Sequence, residues 1–188
     1  VGNEHIDRKV LLNPLEELIT VYRFTLITGP PGSGKSSLAI NGAEKQFETE
    51  NVFCFNADEF KHPHIDVALE AAGLTEISPS DWADALPFEE RVIVIDSLER
   101  ILQSTTPYVA FDQLLNLIKG DRRWRIIATC RDYFASHVRT RWNEDWHEFE
   151  VPLLSDEELK DLRDRQIIPS SWFNVPDTNS ALRNLKWI

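Results

Sequence analysis

The residues with the clearest chemistry run from Gly29 to Ser37, and the first eight of them fit the pattern G-x-x-x-x-G-K-[ST]. Glycines at these places let the backbone curl, so that its N–H groups point at phosphate oxygens. The ammonium group of Lys35 would lie between the β- and γ-phosphates, and the Ser36 hydroxyl would ligate Mg²⁺. An ordinary surface turn would not account for Lys35. We therefore expect nucleotide phosphates to bind the segment made of Gly29, Pro30, Pro31, Gly32, Ser33, Gly34, Lys35, Ser36 and Ser37.

Two carboxylates follow a second informative segment. Asp96 closes the uninterrupted apolar run 92–95, which is typical of a strand buried on both faces of a parallel sheet. At the edge of such a sheet Asp96 would hold Mg²⁺ together with Ser36, partly through water; the alternative is an aspartate that only caps the next helix. Glu99 lies three residues further on and is a candidate general base. Its alternative role is that of an acid in the first turn of a helix, where it complements the dipole.

Polar residues also end two other predicted strands. Arg131 would contact the γ-phosphate and so distinguish ATP from ADP, because a guanidinium group pairs with two phosphate oxygens; the alternative is an ion pair with Asp132 or another nearby acid. Thr129 would leave the sheet at the same edge and reach the γ-phosphate. Asp58 and Glu59 are a further acidic pair that could place water or Mg²⁺. The catalytic residues that we predict are Lys35, Asp96, Glu99 and Arg131.

The elements that must position these residues alternate between strands and helices, which predicts a doubly wound α/β fold with a parallel sheet. A leading helix would begin with Asn13 as its cap and Pro14 at its first position, and end near Ile19. Its role would be either packing beside the sheet or contact with adenine. The predicted strands are 22–28, 51–56, 91–96, 125–130 and 148–151, and the predicted helices between them are 37–47, 64–72, 107–119 and 133–141.

The alternation stops after Pro152. Ser155 and Glu158 form a capping-box pattern that starts a charged helix to about residue 165, and a last helix would start near residue 179. We therefore predict a nucleotide-binding domain over residues 1–152, including the leading helix, and the start of a small, truncated helical lid over 153–188.

Composition narrows the function classes. The chain has 188 residues and a net charge of −11, so direct nucleic-acid binding is not expected, although Arg122, Arg123 and Arg125 form one basic cluster and Arg139 and Arg141 another. Neither a membrane span nor a signal peptide is indicated.

Cys54 and Cys130 lie in predicted strands, are expected to be buried, and have no metal-ligand spacing, which fits a reducing cytoplasm. The chain begins at Val1 and has no methionine, so we expect it to be part of a longer protein.

Three segments in this order resemble the STAND class of signalling ATPases, which includes NACHT and NB-ARC domains: residues 29–36, 92–99 and 126–131, the last ending Thr-x-Arg. The resemblance implies a five-stranded P-loop NTPase sheet of order 5-1-4-3-2. It also implies exchange of ATP and ADP as a switch with slow hydrolysis, Mg²⁺ as cofactor, and a homo-oligomer in the ATP state. Sensor and effector domains would lie outside this chain, and bacterial members often serve in defence against phage. The absence of an Asn-Lys-x-Asp signature disfavours GTP.

The chain departs from this pattern at two places. Ser97 stands where glycine or aspartate is common, and a single clear acid follows it. Arg183 and its neighbours stand where a proline that touches adenine is usual, so Arg183 could instead act like the lid arginine of AAA+ proteins. The alternatives to a STAND switch are an AAA+ motor or loader, a switch that binds without hydrolysis, and a small-molecule kinase.

Overall fold

A single parallel sheet organises the chain in the computed structural model, which describes residues 8–71, 78, 81, 90–104 and 109–164. The strand order is β2-β3-β4-β1-β5, and each neighbouring pair is parallel. Read from the other edge this is the predicted order 5-1-4-3-2, and β5 is an edge strand as expected. The five strands are β1 (Phe24–Thr28), β2 (Val52–Asn56), β3 (Arg91–Asp96), β4 (Trp124–Cys130) and β5 (Trp146–Glu150).

Helices connect these strands and confirm the doubly wound α/β architecture. They are α1 (Lys9–Val21), α2 (Lys35–Gln46), α3 (Ile65–Ala71), α4 (Glu99–Leu102), α5 (Val109–Lys119), α6 (Ala135–Arg141) and α7 (Asp156–Asp164), with short 3-10 helices at Thr49–Asn51, Ala57–Lys61 and Asp132–Phe134. None of the helices in the described part of the chain combines the length and apolar character that a membrane span requires. The predicted helix near residue 179, together with Arg183, lies outside the described residues.

The three central strands β1, β3 and β4 are buried on both faces, as their apolar runs predict. Successive residues of one strand enter different clusters, because side chains alternate between the faces. On β1, Leu26 joins the cluster that contains α3, α5 and α6, whereas Ile27 joins the cluster that contains α1 and α2. All five residues of β1 are buried, so the strand that leads into the phosphate loop is held on both faces and by both neighbouring strands.

The start of the leading helix was predicted wrongly. Helix α1 begins at Lys9 rather than after Asn13, and Pro14 lies inside it. An interior proline removes one helical hydrogen bond. Leu11 and Leu12 nevertheless pack against the α1–α2 core together with the fully buried Leu15. The apolar spacing upstream of Pro14 therefore outweighs the local signal that Asn13 and Pro14 give.

The two cysteines differ in environment, against the expectation that both are buried. Cys130 is buried on β4, whereas Cys54 is exposed. The difference arises because β4 is flanked by β1 and β3, whereas β2 is an edge strand. Burial, together with nearby carboxylates, raises the pKa of the Cys130 thiol to about 12. Both cysteines are free thiols.

Candidate active site

The phosphate loop joins β1 to α2, the arrangement that its sequence pattern predicts. Gly34 precedes α2 with φ of 85°, in the left-handed region, and no side chain caps the helix there. The first N–H groups of a helix have no partner within the helix and favour anions. The loop thus directs the start of a 12-residue helix toward the site where phosphates are expected.

Gly29 shows why the loop needs glycine at its first position. Its φ is 151°, and a Cβ atom there would lie 2.3 Å from the carbonyl oxygen of Val151. Val151 itself donates its N–H to the carbonyl oxygen of Thr28 at 2.7 Å. The backbone that leaves β5 therefore lies directly against the start of the phosphate loop.

Replacing Gly29 with alanine is expected to lower the free energy of unfolding by at least about 2 kcal/mol, since an alanine there has both a strained φ and a backbone clash. Urea denaturation of the two chains measures this difference. Gly120→Ala is the matched control, because a Cβ atom at Gly120 meets nothing within 4 Å. Equal losses in the two variants would show that the contact with Val151 does not constrain the loop.

Lys35 is held over the loop. Its Nζ atom donates to the carbonyl oxygens of Gly29 at 2.9 Å and Pro30 at 2.8 Å. Burial lowers the pKa of Lys35, and the negative charge of Glu99 opposes this shift, followed by smaller contributions that include Asp96. The ammonium group thus lies close enough to the predicted catalytic carboxylates for their charges to act on it.

Asp96 is the centre of a hydrogen-bond network at the end of β3. One of its oxygens, Oδ1, accepts from the hydroxyl of Ser36 and from that of Thr129, the latter at 2.7 Å. Its Oδ2 accepts from the hydroxyl of Ser97 at 3.2 Å. Asp96 and Ser36 are therefore brought together as predicted, although they are 60 residues apart.

The contacts of Thr129 are not those we expected. Instead of projecting from the sheet toward a phosphate, its hydroxyl donates to Asp96 and accepts the N–H of Ser97 at 2.8 Å. Its carbonyl oxygen accepts the N–H of Leu98 at 2.8 Å. Thr129 therefore fixes both the carboxylate and the turn after it. The sequence signal for this role is a threonine near the end of β4. That signal can be interpreted only when β4 is known to lie beside β3.

The turn after β3 is strained at Ser97. Its φ is 62°, the one positive value among the described residues other than glycine. A side chain in this left-handed region costs about 1–2 kcal/mol, which explains why glycine or aspartate would suit this position. The turn leads at once into α4, whose first residue is Glu99.

Glu99 is buried and only partly partnered. It is 5% exposed, and its Oε1 lies 3.4 Å from Nε of Arg131. Its Oε2 is buried and has no hydrogen-bond partner among the described residues. A buried carboxylate oxygen without a partner is costly, so this atom is available for a ligand that supplies a proton donor, such as water. Glu99 does lie at the start of a helix, as its alternative role of complementing the helix dipole requires. That role does not explain why Oε2 is buried without a hydrogen-bond partner.

Arg131 contacts Glu99 rather than Asp132. Its Nη1 also donates to the phenol oxygen of Tyr133 at 2.8 Å. That hydrogen bond is the main cause of the raised pKa of Arg131, which the charge of Glu99 also raises. Arg131 therefore forms an ion pair with a nearby acid in this structure, which is the alternative role that we expected for it. Because that acid is Glu99, the ion pair also places the guanidinium group beside the candidate base.

Asp58 and Glu59 have structural partners and do not join the site. Asp58 forms ion pairs with Lys61 and, at 2.6 Å, with Arg100. Glu59 accepts the N–H of Asn56 in a capping box. Both carboxylates stabilise the 3-10 helix after β2, and a role for them in placing water or Mg²⁺ stays a prediction.

The basic clusters are largely neutralised by acids. Four of their arginines contact carboxylates at 2.6–3.0 Å. The pairs are Arg123–Asp121, Arg125–Glu90, Arg139–Glu148 and Arg141–Asp112. This pairing fits solvated surface rather than a basic patch for nucleic acid.

The residues present fit a Mg²⁺ ion. Mg²⁺ prefers oxygen ligands and usually takes one or two from protein, with the rest from phosphates and water. Ser36 and Asp96 supply one hydroxyl and one carboxylate in direct contact. The described residues contain no group of three or more His, Cys, Asp or Glu side chains that could hold a metal by themselves, so an ion here would rely on the nucleotide.

Comparisons with known proteins agree with this geometry. Two solved structures share the fold. One, described as "Structural Basis for Katanin Self-Assembly", is 15% identical with a TM-score of 0.58. The other is a Walker-type ATPase of Pyrococcus abyssi, 16% identical with a TM-score of 0.59. The matches cover 95% of this chain but 62% and 63% of those chains, so this chain spans less than two thirds of their length.

A search of curated proteins finds no match. The family model described as "Novel STAND NTPase 1" matches residues 5–165. That match includes the phosphate loop, the end of β3 and the Thr-x-Arg of β4, the segments on which the resemblance was based. The chain therefore belongs to the novel STAND NTPase 1 family.

Proposed function

We propose that this NTPase module binds ATP and ADP with Mg²⁺ and hydrolyses ATP slowly, as the switch of a larger signalling protein. The observation that carries the proposal is the unpartnered Oε2 of Glu99, buried at the sheet edge where Lys35, Asp96 and Arg131 also lie. Asp96 ends β3, whereas Lys35 and Arg131 follow β1 and β4, and these three strands are adjacent in the sheet. A structural carboxylate would have its oxygens satisfied, whereas a general base must keep one oxygen free for water.

Nucleotide binding is assigned to the phosphate loop and Lys35. The backbone N–H groups of the loop, from Gly29 to Ser37, would bind phosphate oxygens. Lys35 would exchange the two backbone carbonyls that it now contacts for the β- and γ-phosphates. Ser36 and Asp96 would hold Mg²⁺, which supplies charge neutralisation at the phosphates when bound.

Hydrolysis is assigned to Glu99 and Arg131. Glu99 would accept a proton from the attacking water at Oε2. Arg131 would leave Glu99 and Tyr133 for the γ-phosphate, because a phosphate offers a guanidinium group two charged acceptors. The release of Arg131 also frees the second oxygen of Glu99, which ties the presence of the γ-phosphate to the state of the base.

The signalling role rests on membership of the family and on the resemblance to NACHT and NB-ARC domains. Under this proposal, sensor and effector domains would lie elsewhere in the protein, the ATP state would be a homo-oligomer, and a bacterial protein of this kind would serve in antiviral defence. The free thiols fit a reducing cytoplasm, and the net charge of −11 opposes direct contact with nucleic acid. Residues from 153 on, including α7, would begin the helical lid.

The test is to measure affinities for ATP, ADP and GTP, with and without Mg²⁺, and the turnover of the same sample. We expect tight adenine-nucleotide binding, weak GTP binding and turnover well below about one per second, under the usual enzyme range. Turnover above about one per second would favour an AAA+ motor. Binding without any turnover would favour a switch without hydrolysis.

In the same assay Arg131→Ala is expected to reduce the preference for ATP over ADP by about tenfold, the value of one charge-assisted contact. ADP affinity should change little. Arg141→Ala is the control, because both arginines form ion pairs and their side chains are similarly exposed, 41% for Arg141 and 43% for Arg131. Unchanged discrimination in Arg131→Ala would leave Arg131 a structural partner of Glu99.

A further inference from the structure

Arg8 contacts both the phosphate loop and the segment that runs from the end of β5 into α7, each distant from Arg8 in sequence. Its Nη1 donates to the carbonyl oxygen of Ser33 in the phosphate loop at 2.9 Å, and to that of Pro152 after β5 at 3.1 Å. Its Nε donates to Oε1 of Glu158 on α7 at 2.7 Å, and Nη2 lies 3.4 Å from Oε2 of the same carboxylate. Only 9% of the Arg8 side chain is exposed, so solvent screens these contacts weakly. Nothing in the sequence pattern singled out this residue.

The contact with Ser33 bears on how the loop presents its N–H groups. In a trans peptide the carbonyl oxygen and the next N–H point in opposite directions, and the described residues contain no cis bond. With the Ser33 oxygen held by Arg8, the N–H of Gly34 points away from Arg8. Arg8 therefore fixes the orientation of one peptide group in the loop that is expected to bind phosphate.

The contact with Glu158 reaches the first helix after the sheet. Glu158 closes the predicted capping box of α7: its Oε2 accepts the N–H of Ser155 at 2.7 Å, and its own N–H donates to the Ser155 hydroxyl at 3.1 Å. Burial would raise the pKa of Glu158, but the hydrogen bonds from Ser155 and Arg8 outweigh it and lower that pKa. One carboxylate thus starts α7 and holds Arg8.

We propose that Arg8 is a positioning residue that couples the phosphate loop to helix α7 through Glu158. Nucleotide phosphates that bind the loop stabilise the Ser33–Gly34 peptide orientation that Arg8 requires, and Arg8 in turn holds the start of α7. By linkage, loss of the Arg8–Glu158 pair weakens nucleotide binding. The inference rests on the proposed function, because it needs a nucleotide in the loop.

The experiment compares wild type, Arg8→Gln, Glu158→Gln and the double variant. Glutamine at position 158 keeps the capping box and removes the charge that holds Arg8. We expect each single variant to bind ADP about fivefold more weakly, at the lower end of typical coupling between sites, and the double variant to lose no more than Arg8→Gln. Hydrogen exchange of the α7 amides should slow when ADP binds wild type, and should not respond to ADP in Glu158→Gln.

Lys45→Gln is the matched control, since it removes another ion pair between distant segments, Lys45–Glu16 at 2.6 Å, near the opposite end of α2. It should bind ADP as wild type does. If wild type binds ADP and the Arg8 and Glu158 variants bind it equally well, the coupling is refuted and the proposed function stands. If wild type binds no adenine nucleotide, the proposed function fails at that step, and the coupling fails with it.

Discussion

Lys35→Ala should bind ATP at least about tenfold more weakly than wild type. The lysine supplies a charged phosphate contact, and a charge-assisted hydrogen bond contributes about 1.5–3 kcal/mol. The substitution also removes the hydrogen bonds that Lys35 donates to the carbonyl oxygens of Gly29 and Pro30. The phosphate loop therefore loses two of its own stabilising contacts as well. Isothermal titration with ATP, at fixed Mg²⁺ concentration, measures the change.

Lys45→Ala serves as the control for Lys35→Ala. Both lysines lie on α2, and Lys45 pairs with a glutamate on α1, away from the phosphate loop. Thermal unfolding of the two variants separates a loss of affinity from a loss of fold. An ATP affinity in Lys35→Ala equal to that of the control would remove the phosphate loop from the proposed site.

Glu99→Gln should retain ATP binding and slow hydrolysis by about 10²–10⁴-fold, the usual contribution of a general base. The amide keeps the size of the side chain but accepts a proton far less readily. It also weakens the ion pair with Arg131. Single-turnover measurement with excess enzyme reports the hydrolytic step without interference from product release.

Glu59→Gln is a close control for Glu99→Gln. Glu59 follows β2 at the same edge of the sheet, and glutamine preserves its capping box with Asn56. Its turnover should equal that of wild type. If the Glu99 and Glu59 variants turn over ATP alike, Glu99 is not the base, and its unpartnered oxygen needs another ligand.

Features that depend on local pattern could be predicted from the sequence. The phosphate loop, the buried strand that ends in Asp96 and the capping box of α7 each depend on residues within a few positions of one another. The strand order followed from the family resemblance, and it is what brings Lys35, Asp96 and Arg131 to one edge of the sheet.

Features that depend on the register of neighbouring strands or on distant contacts could not be predicted. Thr129 meets Asp96 only because β3 and β4 are adjacent, and Arg8 meets Glu158 across 150 positions. Asp58 had the right residue type and the right edge, but Lys61 and Arg100 already neutralise it. Competition among charges for partners is a property of the folded chain, and no spacing rule reveals it.

The contrast between the two cysteines has a practical consequence. Cys130 is fully buried with a pKa near 12, so a thiol-reactive dye added to the native chain should attach at Cys54 alone. Desolvation by neighbouring residues and, to a smaller extent, the charge of Glu44 raise the pKa of the exposed Cys54 thiol, so labelling calls for mildly alkaline solution. Two strands separate β2 from β1, which puts the label about 14 Å across the sheet from the strand that enters the phosphate loop. Cys54 thus provides an attachment site for a dye within energy-transfer range of a fluorescent nucleotide bound at the phosphate loop.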